Sequence, residues 1–256
     1  MNNRLVLAVP ATMLACAMSI GAAHAQGKPA LKPLDDAELS GVYGQALLDL
    51  TNTSQGGYDF SRITLNADIT MSSSLKGLVL GTHADGTSDI NISTLNFGRS
   101  DGTDAQRTVA ISNPYFEWVY SGTGTASSQV IGMRIGFGGI AGDVGLMMNT
   151  VSGSLSLSTP SSGQATGAGS QLTSLPTTTG ATIALNQIGG VTAGTVDGPS
   201  RDFFLSILKQ AVTYPTTAGV AAPATAQAGF WLNWTDRLAA LNTTGSVPPN
   251  VPKIGP

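Results

Sequence analysis

Cysteine and histidine are scarce in this chain: among 256 residues there are one cysteine, Cys16, and two histidines, His24 and His83. A disulfide needs two cysteines, and closed zinc sites are built mainly from cysteine and histidine side chains. The sequence therefore excludes a disulfide within the chain and a cysteine–histidine zinc centre. It also leaves only two imidazoles for acid–base catalysis.

Charged residues are also scarce, at 11% of the chain, against about 25% in ordinary soluble proteins. Twelve lysines and arginines stand against 15 acids, which gives a formal net charge of −3. A nucleic-acid-binding protein needs a surplus of basic side chains to displace the counterions of phosphates, so we expect no nucleic-acid partner. Glycine, by contrast, is abundant, with 32 residues. Apolar residues are frequent enough for a folded protein.

The first residues of the chain have the three parts of a secretory signal. A basic start containing Arg4 is followed by a mostly apolar stretch and by small residues at 23–25 beside a cleavable bond. The apolar stretch is short and is interrupted by Pro10, so we do not expect it to persist as a membrane anchor. We predict a signal peptide over residues 1–25 and a single β-rich domain over residues 26–256.

Cleavage after Ala25 removes Cys16 and His24, so that His83 becomes the one histidine of the mature protein. Without cysteine, the stability of the mature protein must come from core burial and backbone pairing. A second interpretation takes residues 13–16 as a lipobox with an acylated cysteine, although the residues before that cysteine fit the motif poorly.

An alternation of apolar and polar residues dominates the chain from Arg62 to Leu157. Such a two-residue period places the apolar side chains on one face of an extended strand. The first repeat has its apolar residues at Ile63, Leu65, Ala67, Ile69 and Met71. Further apolar positions with this spacing lie at 78–80, 90–92, 95–97, 109–111, 116–120, 131–137, 144–148 and 155–157. We therefore expect many short strands.

Residue pairs typical of tight turns separate these segments. They are Asp85-Gly86, Asp101-Gly102, Gly122-Thr123-Gly124, Gly138-Gly139 and Ser152-Gly153. Strands at this spacing, with no helical pattern between them, predict an all-β fold. The pattern leaves open whether the sheet is elongated and antiparallel or β-solenoid-like.

The remaining segments complete the predicted architecture. Residues 34–42 have the apolar spacing of a short N-terminal helix with acids in its first turn, and a first strand follows at 46–52. Residues 158–200 are rich in Ser, Thr and Gly, and we interpret them as a loop or weakly ordered insert with one strand at 182–188. Aromatic-rich runs at 201–208 and 229–234 predict a closing pair of strands, although the first run also fits a short helix.

The stretch PLDDAELSGVYGQ at 33–45 resembles the mature start of a group of exported proteins of Gram-negative bacteria. Most members of that group are labelled as domains of unknown function, and some are associated by name with pilus or filament assembly. Further similar stretches lie at 113–118, 130–137, 142–157, 202–204 and 229–233. The resemblance implies an exported β-rich protein at the cell envelope or beyond it. It brings no catalytic residues with it.

Three sets of residues are candidates for chemistry, and the first is His83. A serine hydrolase would need His83 as its base, held by a carboxylate. However, residues 83–87 (HADGT) have the composition of a polar turn. We interpret His83 as a turn residue.

The acids at 85–89 and 101–104 are the second group, because calcium prefers oxygen-rich turns. Neither stretch has the spacing of an EF-hand or of a calcium-binding repeat. Asp-Gly is also a common hairpin turn, and we prefer that interpretation. We therefore predict neither a metal site nor a cofactor.

Glu117 is the third candidate. The alternation places it on the same strand face as Tyr115 and Val119, opposite Phe116 and Trp118. A glutamate among aromatic residues suits a carbohydrate-active enzyme that pairs it with an Asp. We prefer a cross-strand ion pair with Arg134 on a neighbouring strand.

Aromatic residues near the end of the chain raise a further alternative, an exposed patch. They are Phe203, Phe204, Phe230, Trp231 and Trp234. We expect them to close a core instead. An outer-membrane β-barrel shares the alternation and the glycine content, but its strands are longer than the segments found here.

From these observations we expect an exported, non-enzymatic protein of the periplasm, the outer membrane or the extracellular space, without catalytic residues. Its role would be structural or interactive, with other envelope or surface proteins adding strands at its sheet edges. A carbohydrate-active enzyme using Glu117 and an outer-membrane β-barrel remain the alternatives, and membrane association stays open.

Overall fold

The computed structural model describes residues 47–251, and these form mostly antiparallel β-sheet. This confirms the all-β prediction and, of the two architectures left open, favours the antiparallel one. The signal peptide at 1–25 and the helix at 34–42 lie outside the described residues, so both remain predictions. The predicted first strand at 46–52 corresponds to the observed strand Leu48–Gln55.

Fourteen strands and two 3-10 helices, Asp104–Arg107 and Leu185–Gln187, make up the described chain. The strands are β1 Leu48–Gln55, β2 Tyr58–Leu65, β3 Asp68–Met71, β4 Ser73–Thr82, β5 Ser88–Phe97, β6 Val109–Ser121, β7 Gln129–Thr159, β8 Gly163–Leu172, β9 Ser174–Pro176, β10 Thr182–Ala184, β11 Val191–Ala193, β12 Phe204–Leu208, β13 Gly229–Trp234 and β14 Leu238–Ala240.

Strand β7 is the centre of a twelve-stranded sheet that is not closed, and β9 and β10 form a separate hairpin. The main path through the large sheet runs β1-β2-β6-β7-β11-β14. The first part of β7 lies between β6 and β12, and the β12–β13 hairpin extends the sheet. Its later parts pair with β5 and β8. Strands β13 and β14 also make short parallel contacts with β7.

The expected turns at Gly138-Gly139 and Ser152-Gly153 are wrong, because both pairs lie inside the 31-residue strand β7. Their glycines allow close packing instead of chain reversal. A Cβ built on Gly139 would lie 2.5 Å from the Ser112 hydroxyl, and one on Gly153 would lie 2.2 Å from the Leu232 carbonyl oxygen. Neighbouring segments thus approach the strand more closely than any larger residue would permit.

Other predicted turns are confirmed. Asp85-Gly86 connects β4 and β5 as a hairpin, with Gly86 at a φ of +83°, and the glycines at 122–124 lie in the connection between β6 and β7. Asp101-Gly102 differs, because it leads into the 3-10 helix Asp104–Arg107 rather than joining two paired strands. The first alternating segment also breaks after Leu65, so that it forms β2 and β3 instead of one strand.

The interpretation of residues 158–200 as a loop or weakly ordered insert is wrong. Strand β8 pairs with β7 along most of its length, and Ala165, Leu175 and Ile188 are completely buried in the main core. The strand expected at 182–188 is only partly observed, as β10 followed by a 3-10 helix. Small residues and few charges here reflect close packing, as at Gly167 beside the Leu175 side chain.

The closing pair of strands is confirmed, because β12 and β13 are antiparallel neighbours. The helical alternative for 201–208 is therefore wrong. Phe204, Trp231 and Trp234 are buried, which confirms that the terminal aromatic residues close a core. Phe203 and Phe230 are partly buried and pack against the core that contains Trp234.

Two apolar cores lie against this sheet. The main core contains buried residues of β5, β7, β8 and β11. Buried residues from the segments that follow these strands in the chain complete it. The second core lies on the sheet face that carries Phe60 of β2, Val119 of β6 and Leu208 of β12, and it is closed by Val212, Tyr214 and Ala226 from the connection between β12 and β13. Over residues 47–251 we find no helix with the length and apolarity needed to cross a membrane.

Replacing Gly153 with Ala should destabilise the protein by about 1–3 kcal/mol, because the new methyl group would strike the Leu232 carbonyl. The measurement is the free energy of unfolding from urea denaturation. Asn149→Ala is the matched control at an exposed position of the same strand, and we expect a change within about 0.5 kcal/mol. Equal effects of both variants would contradict the close-packing explanation.

Candidate functional site

Three charged residues stand side by side on neighbouring strands. Arg62 of β2 is the register partner of Glu117 in β6, and Glu117 is in turn the partner of Arg134 in β7. Residues directly opposite one another in an antiparallel sheet point to the same face. All three therefore lie on the sheet face that carries the second core, and we call them the Glu117 cluster.

The glutamate of this cluster is held by both arginines. Arg62 Nε donates to one carboxylate oxygen at 2.8 Å, and Arg134 Nε donates to the other at 2.5 Å. The Glu117 and Arg134 side chains are only 3% and 4% exposed, whereas Arg62 is 30% exposed. The predicted ion pair between Glu117 and Arg134 is thus confirmed. Arg62 was missed as a partner, although it occupies a polar position of the alternating pattern.

Aromatic rings surround the buried charges. The Arg62 guanidinium lies 4.1 Å from the centre of the Tyr115 ring, and that of Arg134 lies 4.0 Å from the Tyr214 ring and 4.8 Å from the Phe204 ring. Such cation–π contacts stabilise cations that have lost water. Burial raises the pKa of the Tyr115 hydroxyl and that of Tyr214, so both stay neutral beyond their usual range.

The alternation in β6 is as predicted, with Tyr115, Glu117 and Val119 on one face. The buried face, however, is the one that contains the glutamate, while Phe116 on the other face is 48% exposed. Neutralisation of Glu117 by two arginines permits this burial. Each carboxylate oxygen of Glu117 accepts a bond from an arginine, so this side chain ties β2, β6 and β7 together.

His83 lies in the turn between β4 and β5, as expected, and it has a carboxylate partner. Its Nε2 is 2.9 Å from Asp89 Oδ1. The other Asp89 oxygen accepts the backbone N–H of Phe230 at 2.9 Å. Two glycines make room for this carboxylate, since a Cβ on Gly81 or Gly229 would lie 2.3 or 2.5 Å from Asp89 Oδ2.

The order of groups around Asp89 differs from that of a serine hydrolase. The Ser152 hydroxyl approaches Asp89 at 3.5 Å, so the carboxylate lies between the hydroxyl and the imidazole. A hydrolytic triad needs the imidazole in the middle, where it takes the proton of the serine. This arrangement therefore orients His83 without activating Ser152.

A cavity of about 620 Å³ opens beside the pair of His83 and Asp89. We call it the groove. Its lining is mostly apolar and includes Trp118, Ile131, Met133, Ile207, Leu208 and Phe230, with Lys209 as a basic residue. Its volume falls within the range of about 300–1,000 Å³ that is usual for small-molecule sites.

The acids considered for calcium have other partners. Asp101 accepts bonds from Arg99, which lower the pKa of the Asp101 carboxyl, and Asp104 pairs with Arg107. Asp85 accepts both the N–H and the hydroxyl of Thr87 within its turn. Across the described range 47–251, no three His, Cys, Asp or Glu side chains lie close enough together to hold a metal ion.

Two further acids, the buried Asp143 and the partly buried Asp202, were not found from the sequence. Asp143 accepts bonds from Gln106 and Thr192, and Asp202 binds the backbone N–H groups of residues 235 and 236. Their partners are distant in sequence and include main-chain groups. A pattern of residue types does not reveal such partners. These acids fix loops to the sheet.

Glu117→Leu should lower the free energy of unfolding by about 3–5 kcal/mol, because it leaves two arginines without their carboxylate. Asp101→Asn is the control for an exposed ion pair and should cost less than about 1 kcal/mol. Urea denaturation of both variants measures the difference. If Glu117→Leu lowered the free energy of unfolding no more than Asp101→Asn, the Glu117 cluster would not be important for stability.

Tyr214→Phe should reduce the loss of stability at alkaline pH. Because burial raises the pKa of Tyr214 in the folded protein, the unfolded chain loses this proton first, near the ordinary tyrosine value of about 10. The contribution of Tyr214 to the free energy of unfolding is therefore complete below that pH and falls as the pH rises above it.

Urea denaturation between about pH 9 and 11 tests this expectation. The slope of stability against pH should be shallower for Tyr214→Phe than for the unmodified protein, and Tyr120→Phe, on the opposite face of the sheet, is the control. An unchanged slope in Tyr214→Phe would show that its hydroxyl is not the group responsible.

Comparison with known proteins adds no relative: no family model, no curated protein and no solved structure matches the chain. The resemblance of residues 33–45 to exported proteins of Gram-negative bacteria therefore stays a prediction. What can be said of function depends on the geometry of the described residues.

Proposed function

We propose that this chain is an exported, non-enzymatic protein of the bacterial envelope or surface, and that it acts by pairing a sheet edge with a partner protein. The observation that carries the proposal is strand β1. All eight of its residues are exposed, and within residues 47–251 its one strand partner is β2. An unpaired strand edge presents a row of backbone donors and acceptors to any extended segment.

The sequence of β1, LDLTNTSQ, contains few of the usual protections of an edge strand. Proline and lysine, which block edge pairing in many sheets, do not occur in it, and Asp49 is its single charge. Leu48 and Leu50 are 58% and 65% exposed on one side of the strand. An added strand would cover these side chains as well as the backbone.

The location in this proposal follows from the predicted leader at 1–25. The periplasm, the outer membrane and the extracellular space all fit a leader-directed protein without disulfides. The short helix at 34–42, the elongated form of the sheet and an association with pili or filaments belong to the same proposal.

Cysteine cross-linking in cells tests both parts of the proposal. Since the mature protein has no cysteine after removal of the leader, Thr51→Cys in β1 places a single thiol at the exposed edge. We expect a photoreactive maleimide reagent attached to this thiol to give, on illumination, a covalent adduct with a partner protein in the periplasmic, outer-membrane or medium fraction.

Ala126→Cys places the matched thiol in the exposed connection between β6 and β7 and should give no adduct. Equal labelling of both variants, or none in either, would contradict edge pairing. Recovery of the protein in the cytoplasm with residues 1–25 intact would contradict export.

A further inference from the structure

The sheet face opposite the Glu117 cluster is apolar and only partly covered. One row crosses five strands, because the register joins Leu50, Ile63, Phe116, Ile135 and Leu205 as successive partners. Phe116 is 48% and Ile135 is 40% exposed. Soluble proteins seldom leave such a continuous apolar surface open without a binding role.

The neighbouring row forms the floor of the groove. Its successive register partners are Trp118 of β6, Met133 of β7, Ile207 of β12 and Phe230 of β13. The floor thus runs across four strands and contains no charged side chain. Ile207 is 44% exposed, so the described residues leave this floor open to solvent.

Charges are found only at the rim of the groove. The Lys209 ammonium donates to the Val130 carbonyl oxygen at 3.0 Å, and within residues 47–251 it forms no ion pair with a carboxylate. Asp89 is occupied by His83 and by the N–H of Phe230. Among the lining residues, Lys209 therefore carries a positive charge that no carboxylate of residues 47–251 pairs with.

We propose that the groove binds one long-chain fatty acid. Its alkyl chain would lie across the floor from Trp118 to Phe230, and its carboxylate would accept a charge-assisted hydrogen bond from Lys209. A carboxylate head group carries one negative charge, which matches the single ammonium of Lys209. This proposal does not depend on edge pairing at β1.

Tryptophan quenching by a brominated fatty acid tests the proposal on the full exported chain. Trp118 lies in the groove, whereas Trp231 and Trp234 are buried in the two cores. Because bromine quenches only nearby rings, we expect saturable quenching of Trp118. Trp118→Phe should remove most of this signal.

Ile207→Glu places a negative charge on the groove floor and should weaken binding at least about tenfold. Val79→Glu is the matched control, because Val79 is 47% exposed on β4 and does not line the groove. Its affinity should stay unchanged, and far-UV circular dichroism should show that both variants fold.

The variant Lys209→Gln tests the contribution of the carboxylate head group separately from that of the alkyl chain. It should weaken binding of the fatty acid about tenfold, because a charged hydrogen bond is lost. It should leave unchanged the binding of the long-chain alcohol of equal length, which has no charge to pair with Lys209. Equal losses for acid and alcohol would overturn the assigned position of the carboxylate.

Three other results would overturn the proposal. Quenching that persists in Trp118→Phe would place the ligand elsewhere. Equal affinities of Ile207→Glu and Val79→Glu would exclude the floor as the binding surface. Absence of fatty-acid binding, together with a dimer that Ile207→Glu dissociates in light scattering, would identify a second copy of the chain as the occupant.

Discussion

Backbone pairing along β7 is the interaction on which the rest of this structure depends. Seven other strands hydrogen-bond to different parts of this one strand of 31 residues. A strand used in this way must accept close neighbours along its whole length. Its glycines meet that demand, since the Leu232 carbonyl occupies the place where a side chain of residue 153 would begin. The strands within residues 204–240 pair with both the early and the late part of β7. They thereby connect the two halves of β7 within one sheet.

Polarity is distributed unusually over the two faces of the sheet around β6. The face with Glu117, Arg62 and Arg134 is covered by the connection between β12 and β13, and the face with Phe116 and Ile135 is open. Burial of charges removes their hydration, so it requires the mutual pairing and the ring contacts found in the Glu117 cluster. Exposing apolar side chains to solvent also costs free energy, in this case because water is ordered around them. Together these features suit a surface that is incomplete without a partner.

The open apolar face and the exposed strand β1 are parts of one surface. Leu50 begins the apolar row and also belongs to the strand edge. The groove at the other end of this face adds depth and a single basic residue, Lys209. A protein partner at the edge and a small amphiphile in the groove would use different atoms of this surface, so the two proposals are independent of each other.

Local features of the fold could be derived from the sequence. The alternation in 62–157 identified the strands and the ion pair between Glu117 and Arg134, and Asp85-Gly86 identified a hairpin. These predictions are correct because the side-chain period of a strand and the geometry of a turn are properties of a few consecutive residues. The turn prediction for the glycine pairs inside β7 was wrong for the same reason. A sequence does not distinguish a glycine that makes room for a close neighbour from a glycine that allows a turn.

The sequence by itself determined that this protein is built of β-strands and lacks the residues for disulfides or a cysteine–histidine zinc centre. Tertiary structure alone decided that β7 runs unbroken, that residues 163–172 join the sheet, and that the charged face of β6 is the buried one. The physical reason is that an alternating strand has two faces. Which face is covered depends on a segment far along the chain, here the one that contains Val212 and Tyr214.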